Sequence, residues 1–436
     1  MYYYSTNRKV FDVSFKEAVL KGLASDKGLF MPEKITQLPK AFINNMSQMS
    51  LQEISYAVAN ALFGNDIECD MLKDIVYDAI NFDIPLRHIT EDQYVLELFH
   101  GPTLAFKDVG ARFMARVLGY INSQSRNEDK CINVLVATSG DTGSAVANGF
   151  LGVKGVRVFV LYPQDKVSKI QEAQFTTLGQ NITAIEINGT FDDCQALVKN
   201  AFMDKELNES MILTSANSIN IARFLPQTFY YFYAFAQLAK REQPIDNVVV
   251  SVPSGNFGNL AAGLIAKRMG LPVKHFIAAN NRNCVFHDYL LTGTFEPRPS
   301  IPTIANAMDV GNPSNFARIL DLYGNSHAEI CKDITGFSYT DEQISETIAR
   351  TYANDSYVLD PHGATAYRAL CEYLKPGEIG ISLETAHPAK FKDTVDQIIG
   401  KGIEIPDKLK AFMNGKKQTV KLNSGFHAFK SFLKEI

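Results

Sequence analysis

The chain has 436 residues, more than one compact core usually supports, so its length favours two or three domains. Hydrophobic residues make up 46% and charged residues 21%, as in ordinary globular proteins. The net charge is −4 and the basic residues are scattered, which argues against a nucleic-acid-binding surface.

Apolar runs and cysteines exclude further classes. The sequence contains no apolar stretch of 18 residues and begins without the pattern of a secretory signal, so we expect no membrane span and a cytoplasmic protein. The six cysteines lie far apart, with no pair at metal-ligand or C-x-x-C spacing. We therefore expect reduced thiols and no metal site.

The first 90 residues or so have the spacing of helices. Apolar residues recur every three to four positions over residues 14–23 and 51–62. From about Tyr94 the pattern changes to short apolar runs, at residues 131–137, 156–162, 247–252 and 379–383, that alternate with helical segments. This alternation predicts an α/β fold with parallel sheets. Two sheets fit the length, and the clearest domain boundary lies near residue 90.

Lys107 stands among apolar residues directly after the polar turn His-Gly-Pro-Thr at residues 100–103. A lysine that must bond to an aldehyde needs a partly desolvated amine, because loss of water disfavours the ammonium form. Leu104, Phe106 and Val109 could supply that setting. The alternative is a lysine that extends from an ordinary helix start into solvent.

A glycine-rich loop follows the run that ends at Ala137, with the sequence Thr-Ser-Gly-Asp-Thr-Gly-Ser at residues 138–144. Its glycines allow a close approach of the backbone to a ligand, and the following helix start favours an anion. The alternative is that Ser139 and Asp141 only cap the helix.

A second loop, Ser-Gly-Asn-Phe-Gly-Asn at residues 254–259, again joins a strand to a helix. It lacks the closing Gly-Lys-Ser/Thr of a nucleotide-binding P-loop and the third glycine of a dinucleotide fingerprint. A phosphate held without a ribose-binding acid suggests a small phosphorylated cofactor, which points toward pyridoxal phosphate.

Two more polar clusters are candidates for ligand binding. Residues 214–223 gather hydroxyls, amides and Arg223, whose planar guanidinium suits a doubly charged oxyanion; a solvated, capped helix start is the alternative. Thr385 follows the strand at 379–383, where ligands of open α/β sheets bind. Lys390, just after Pro388, is a second candidate for the aldehyde-binding lysine, but it falls in the first turn of a predicted helix.

Six motifs in order resemble the threonine synthase family of pyridoxal-phosphate enzymes, which has the tryptophan-synthase-β fold, also called fold type II. They are HGPTLAFKD around Lys107, SGDTGSA from Ser139, NSINIAR from Asn217, SGNFGN from Ser254, NAMDVGNPSN from Asn306 and TAHPAKF from Thr385. The N-terminal GLASDKGLFMP also matches, so the resemblance runs the length of the chain.

The resemblance implies two open parallel-sheet domains with the cofactor between them. A mainly helical, family-specific N-terminal region would cover residues 1–90, and the catalytic region residues 91–436. Within the catalytic region, a smaller sheet subdomain would span roughly 110–215, and the remainder would form the larger one.

The resemblance also implies the site residues. Lys107 would bind the cofactor covalently and transfer protons, and Thr385 would meet the pyridine nitrogen. The cofactor phosphate would be bound by Gly255, Asn256, Phe257, Gly258 and Asn259. Asp141 stands where many relatives have Asn beside the cofactor's phenolic oxygen, and an acid there would repel that oxygen unless one of the two is protonated. The residues matching the family's substrate-binding positions are Ser139, Thr142, Asn217, Ser218 and Arg223.

The implied reaction converts O-phospho-L-homoserine and water to L-threonine and phosphate, by γ-elimination followed by β-addition. Two alternatives stay open: a lyase of the same fold that releases phosphate and a 2-oxo acid, and a non-catalytic binding protein. We expect a monomer or a weak homo-oligomer, with no nucleic-acid or membrane partner.

Overall fold

Three of the predicted apolar runs form strands that are buried along their whole length. The computed structural model describes residues 1–124 and 131–435. Every residue of Ile132–Ala137, Val248–Pro253 and Ile379–Glu384 is buried, as expected of strands covered on both faces. The four predicted strands are confirmed to within one residue at each end.

In chain order, the strands are β1 Tyr2–Ser5, β2 Val13–Ser14, β3 Phe30–Pro32, β4 Leu86–Thr90, β5 Gln93–Glu97, β6 Ile132–Ala137, β7 Val156–Pro163, β8 Ile182–Asn188, β9 Ile212–Ser215, β10 Val248–Pro253, β11 Val273–Asn280, β12 Ile334–Ser338, β13 Ile379–Glu384 and β14 Val420–Asn423. Short 3₁₀ turns cover Met46–Gln48, Leu225–Gln227, Asn306–Met308 and Pro388–Phe391.

The α-helices are α1 Phe15–Lys21, α2 Lys40–Asn45, α3 Leu51–Phe63, α4 Cys69–Ala79, α5 Lys107–Ser123, α6 Asp141–Phe150, α7 Lys169–Thr176, α8 Phe191–Met203, α9 Lys205–Ser210, α10 Ile221–Phe224, α11 Thr228–Lys240, α12 Gly258–Arg268, α13 Val285–Thr292, α14 Phe316–Leu322, α15 His327–Asp333, α16 Asp341–Asp355, α17 Pro361–Tyr373, α18 Lys392–Ile399, α19 Asp407–Met413 and α20 Phe426–Glu435.

The chain clusters into two compact units. Unit 1 comprises Met1–Phe30, Lys107–Arg223 and Ile405–Ile436, and unit 2 comprises Met31–Phe106 and Phe224–Glu404. Each unit contains one large sheet, which confirms the predicted fold class. The boundary proposed near residue 90 and the limits of the two subdomains stay predictions.

The sheet of unit 1 has the strand order β14-β8-β7-β6-β9, and its neighbouring strands are parallel. Its core includes apolar residues of α8 and α20, such as Leu197 and Phe429, packed against β6, β7 and β8. The edge strand β14 comes from the C-terminal segment of the chain, and its Val420 pairs with Ile185 of β8.

The sheet of unit 2 has the order β12-β11-β10-β13-β5-β4, in which the antiparallel edge strand is β4. Residues of α16 and α17, including Ile348 and Leu370, contribute to its core together with Val249 of β10 and Ile277 of β11.

Each sheet has one point at which the strand order reverses. In unit 1 the chain runs outward from β6 through β7 and β8, and β9 then pairs with the other side of β6. In unit 2, β11 and β12 lie on one side of β10 and β13 lies on the other. Ligands of open α/β sheets bind outside the carboxyl ends of the strands at such reversals.

The N-terminal residues contain the helices that the sequence predicted. α1 begins after Ser14, whose hydroxyl accepts a hydrogen bond from the backbone N–H of Glu17. α3 begins with a reciprocal capping box between Ser50 and Glu53. Short strands β1 and β2 pair antiparallel beside α1, an addition that helical spacing alone does not predict.

Candidate active site

The reversal point of unit 2 carries the loop of residues 254–259, hereafter the phosphate loop. It begins after β10 and ends at the start of α12. Phe257 has a φ of +60°, in the left-handed region, and forms the cap of α12. This turn lets the chain pass from a strand into a helix whose first N–H groups have no partners in the preceding turn.

The phosphate loop offers backbone donors. Among the residues that the structure describes, none accepts a hydrogen bond from the N–H groups of Gly255, Phe257, Gly258 or Asn259. Such donors at a helix N-terminus are suited to a phosphate. The loop therefore fits a phosphorylated cofactor in its donor chemistry.

Side chains of the phosphate loop are directed toward the protein. The hydroxyl of Ser254 donates to the carbonyl of Val252 at 2.8 Å, and the amide of Asn259 donates to the carbonyl of Pro253 at 2.9 Å. A Cβ atom on Gly255 would lie only 2.8 Å from the Cα of Met308. Glycine at 255 is thus required by packing as well as by any ligand.

Thr385 lies at the same reversal point. It follows β13, which pairs with β10 at Ser382 and Ser251. The Thr385 side chain is buried, and its hydroxyl has no hydrogen-bond partner among the described residues. The hydroxyl is therefore available to a ligand that lies beside the phosphate loop.

The segment that precedes Lys107 is joined to the Thr385 segment by main-chain contacts. The N–H of Phe106 donates to the carbonyl of Thr385 at 2.9 Å, and Ala105 forms an antiparallel bridge with Ala386. Lys107 follows immediately as the first residue of α5 and is half-buried. The backbone that leads into Lys107 is thus fixed at the reversal point of unit 2.

Lys390 is in a different environment. Its side chain is buried within the 3₁₀ turn after β13, and its ammonium donates to the carbonyl of Thr103 at 3.0 Å. A lysine held in this way supports the backbone of residues 100–103. This contact favours Lys107 over Lys390 as the reactive lysine.

The reversal point of unit 1 carries the loop of residues 138–144, hereafter the hydroxyl loop. The hydroxyl of Thr138 accepts hydrogen bonds from the N–H groups of Gly140 at 2.9 Å and of Gly143 at 2.8 Å. Ser139 and Thr142 are half-buried, and their hydroxyls have no partner among the described residues. The loop thus binds its own backbone and leaves two hydroxyls for a ligand.

Asp141 begins α6 and is almost fully buried. One of its carboxylate oxygens accepts a hydrogen bond from the amide of Gln171 at 2.8 Å. That amide also packs on Gly140, where a Cβ atom would lie 2.7 Å from it. Sequence reasoning did not identify Gln171, because it lies thirty residues further along the chain on α7, where only the tertiary fold brings it to the loop.

Asn217, Ser218 and Arg223 follow β9, the neighbour of β6. The Asn217 amide donates to the carbonyl of Ala137 at 3.2 Å, which joins this segment to the end of β6. The helix α10 begins at Ile221, so Asn220 precedes it, and the Asn220 side-chain amide donates to the carbonyl of Ser215.

Arg223 is buried, and its guanidinium donates to the carbonyl of Ala216. Burial lowers the pKa of Arg223 to about 10, and the charge of buried Asp108 counteracts part of this effect. Arg223 therefore keeps its positive charge at neutral pH, close to Asn217 and the end of β9.

No group of three or more His, Cys, Asp or Glu side chains in the described ranges is placed to bind a metal ion. The described helices also include none that is both long and apolar enough to span a bilayer.

Three protein-family models match the chain. A model described as pyridoxal-phosphate dependent enzyme matches residues 86–383. Models described as threonine synthase N terminus and threonine synthase, C-terminal match residues 2–80 and 362–433.

Individual proteins are similar over nearly the whole chain. A threonine synthase of Haemophilus influenzae is 46% identical over 91% of this chain and 91% of its own length. The crystal structure of threonine synthase from Escherichia coli superimposes with a TM-score of 0.92 at 42% identity, covering 100% of both chains. The structure of PLP-bound threonine synthase from Brucella melitensis has a TM-score of 0.92 at 33% identity and covers 100% of this chain and 99% of its own.

Proposed function

The chain belongs to the threonine synthase family of pyridoxal-phosphate-dependent enzymes, and from this we propose how its residues act on O-phospho-L-homoserine. The reaction is a lyase reaction that converts this substrate and water to L-threonine and phosphate. The observation that carries the proposal is a group of four backbone N–H donors, those of Gly255, Phe257, Gly258 and Asn259, for which no described residue is an acceptor. They lie next to Thr385 at one strand-order reversal.

The cofactor is pyridoxal phosphate, and the residues of unit 2 fit it. Its phosphate would accept hydrogen bonds from the N–H groups of residues 255–259, and the hydroxyl of Thr385 would meet the pyridine nitrogen. When bound, the cofactor supplies an electron sink for the negative charge that develops on the substrate carbons. A neutral hydroxyl at the nitrogen does not force that nitrogen to stay protonated, so the sink is weaker than one paired with a carboxylate.

Lys107 is proposed as the covalent anchor of the cofactor and as the main base. With its amine free, Lys107 would take the proton from Cα of the substrate. After that proton passes to an oxygen of the substrate's phosphate group, the same amine would take a proton from Cβ and give it to Cγ, and it would later carry a proton from the added water to Cα. The phosphate leaves from Cγ, and water adds at Cβ.

Residues of unit 1 are proposed to bind the substrate. Arg223 supplies a fixed positive charge for an anionic group, and the hydroxyls of Ser139 and Thr142 supply donors. Asn217 and Ser218 complete this set. Asp141 is proposed to lie near the cofactor's phenolic oxygen.

Product identification tests the reaction. Purified protein, O-phospho-L-homoserine and ¹⁸O-labelled water should yield threonine with the label in its hydroxyl group and phosphate without label, because water adds at carbon. A 2-oxo acid in place of threonine would identify a phospho-lyase and overturn the proposal. Homoserine with labelled phosphate would reveal a phosphatase, and a colourless protein that takes up no pyridoxal phosphate would indicate a binding protein.

The proposal also covers the N-terminal region, the cellular location, the oligomeric state and the partners. We propose that residues 1–90 form a region specific to this family, and that the protein works in the cytoplasm as a monomer or weak homo-oligomer. Neither nucleic acid nor membrane is a proposed partner, in keeping with the net charge of −4. Light scattering of the purified protein across a concentration series would test the oligomeric state.

A further inference from the structure

The sequence Asp-Pro-His-Gly at residues 360–363 has no part in the reaction described above, although it is buried beside the cofactor-binding edge of unit 2. Asp360 caps α17, and one of its carboxylate oxygens accepts a hydrogen bond from the N–H of His362 at 2.7 Å. Both side chains are almost fully buried. Burial of an acid and an imidazole at a helix start requires specific partners.

The partners of His362 fix its tautomer. Its Nε2 accepts a hydrogen bond from the N–H of Ala307 at 3.1 Å, so Nε2 carries no proton. The proton is therefore on Nδ1, which donates to Asp360. This arrangement follows the general pattern in which an acid orients a neutral imidazole.

Ala307 and Met308 are in direct contact with the phosphate loop. A Cβ atom on Gly255 would lie 2.8 Å from the Cα of Met308 and 3.0 Å from the carbonyl oxygen of Ala307. Since main-chain atoms make this contact, movement of residues 307 and 308 would displace Gly255. The His362 ring thus fixes the backbone of residues 307 and 308, against which the phosphate loop packs.

Asp360 is joined to the Thr385 segment on its other side. Its N–H donates to a carboxylate oxygen of Glu384 at 2.5 Å, and its own carboxylate accepts from the N–H of Ala386 at 3.4 Å. These two residues flank Thr385. Gly363 is part of the same contact, because a Cβ atom there would lie 1.4 Å from Glu384.

We propose that Asp360 and His362 are positioning residues that set the separation between Thr385 and the phosphate loop. They link the two places where the cofactor would be held, one at its pyridine nitrogen and one at its phosphate. This inference rests on the proposed function, because it takes the phosphate loop and Thr385 as the cofactor site. Neither residue is among those that we propose to hold the cofactor or the substrate.

Two substitutions at one position separate the contacts of His362. In His362→Asn, the side-chain amide reproduces the Nδ1 donor to Asp360 but does not reach Ala307. In His362→Gln, the amide oxygen lies where Nε2 was and can still accept from Ala307. Both variants lose the ring contact with Phe391, so this loss is matched between them.

The measurement is the rate at which the loaded enzyme releases pyridoxal phosphate, with the ³¹P chemical shift of the bound phosphate as a second readout. His362→Asn should release cofactor about tenfold faster than the wild type, as expected for the loss of one buried hydrogen bond, and its ³¹P shift should move. His362→Gln should stay within about threefold and keep the wild-type shift. Thermal unfolding of the apo forms should change equally in both.

Other outcomes decide against the inference. Equal release rates in the two variants, whether fast or slow, would overturn it, because the bond to Ala307 would then not control the phosphate loop. A wild-type protein that binds no pyridoxal phosphate would overturn the proposed function and this inference together. Normal cofactor loading without a difference between Asn and Gln would overturn the inference alone.

Discussion

The hydroxyl loop of unit 1 and the phosphate loop of unit 2 share a sequence pattern and a position, yet they present opposite groups. Both follow a buried central strand at a strand-order reversal, and both lead into a helix. In the hydroxyl loop, Thr138 accepts from the backbone N–H groups of Gly140 and Gly143. In the phosphate loop, no described residue accepts a hydrogen bond from the backbone N–H groups of Gly255, Phe257, Gly258 or Asn259, whereas the side chain of Asn259 donates to the carbonyl of Pro253.

We propose that this contrast separates the binding site of a resident cofactor in unit 2 from that of a transient substrate in unit 1. Backbone donors are fixed by the fold and need no ordering of side chains when a phosphate binds, which suits a cofactor that stays in place. Hydroxyl side chains can turn to follow a substrate that changes during the reaction. Glycine therefore has two different purposes in loops that look alike in sequence.

The largest effect should come from Lys107, because neither loop makes a covalent bond. Lys107→Ala should lower turnover at least about a thousandfold, since the variant loses the covalent anchor and the main base at once. The visible absorbance of the lysine-bound cofactor should disappear. Cofactor should nevertheless stay bound through its phosphate, which equilibrium dialysis can measure.

Borohydride reduction followed by peptide mapping provides the control for this prediction. The wild type should carry a pyridoxyl adduct on Lys107, and the Lys107→Ala variant should carry none. An adduct on Lys390 in that variant would contradict the assignment. Complete loss of cofactor from this variant would also contradict the proposed role of the phosphate loop, because the loop would then not bind the cofactor without the covalent bond.

Acid should weaken unit 2 through His387, which lies two residues after Thr385. Burial, with a contribution from nearby His100, lowers the pKa of His387 to about 4. The unfolded chain binds this proton near pH 6.5, so between about pH 6.5 and 4 the unfolded state holds more protons than the folded state. The free energy of unfolding should therefore decrease as the pH is lowered through this window, by up to about 3 kcal/mol at the acid end.

The variant His387→Asn tests this prediction. Asparagine can accept the hydrogen bond that His387 Nδ1 now accepts from the N–H of Ala389, but it does not titrate. Urea unfolding at about pH 7.5 and about pH 4.5 should show a smaller loss of stability in the variant than in the wild type. Equal losses in both proteins would mean that other groups cause the acid sensitivity.

The strands and both loops could be predicted from the sequence, because buried parallel strands and glycine turns are local patterns. Lys107 could be placed at a helix start for the same reason. The contacts that organise the site could not. Gln171 reaches Asp141 across thirty residues, and His362 reaches Ala307 across fifty-five. Such pairings depend on how elements pack, and no periodicity in the chain marks them.

Arg223 tests the assignment of the substrate to unit 1. Loss of a charge-assisted hydrogen bond to a phosphate or carboxylate costs roughly 1.5–3 kcal/mol, so Arg223→Ala should impair the use of O-phospho-L-homoserine about ten- to a hundredfold. The cofactor content should stay near that of the wild type. Steady-state kinetics and absorbance of the same sample measure both quantities.

Arg116→Ala is a matched control for Arg223. Arg116 also donates to a main-chain carbonyl, that of Gly149, but Gly149 lies at the C-terminal end of α6, the opposite end of that helix from Asp141. It should leave substrate use within about threefold of the wild type, as for a residue outside the site. If Arg223→Ala lost the cofactor but kept its substrate affinity, the cofactor would bind beside Arg223 in unit 1, and the substrate would have to bind in unit 2.

The smallest effect on activity should come from substitution of Thr142. Together with Thr138, it separates ligand-binding from structural hydroxyls within the hydroxyl loop. Thr142→Val removes a hydroxyl that has no partner among the described residues. It should raise the KM for O-phospho-L-homoserine about fivefold, the value of one neutral hydrogen bond, and change the free energy of unfolding by less than about 0.5 kcal/mol.

The same substitution at Thr138 should have the opposite profile, because that buried hydroxyl accepts from two N–H groups of the loop. Thr138→Val should destabilise the protein by about 1–3 kcal/mol, since both donors lose their acceptor. Urea unfolding and initial rates on the two variants measure the pair. If Thr142→Val were the destabilising variant and left KM unchanged, the hydroxyl loop would be a structural turn, and substrate recognition would have to come from elsewhere at the end of β9.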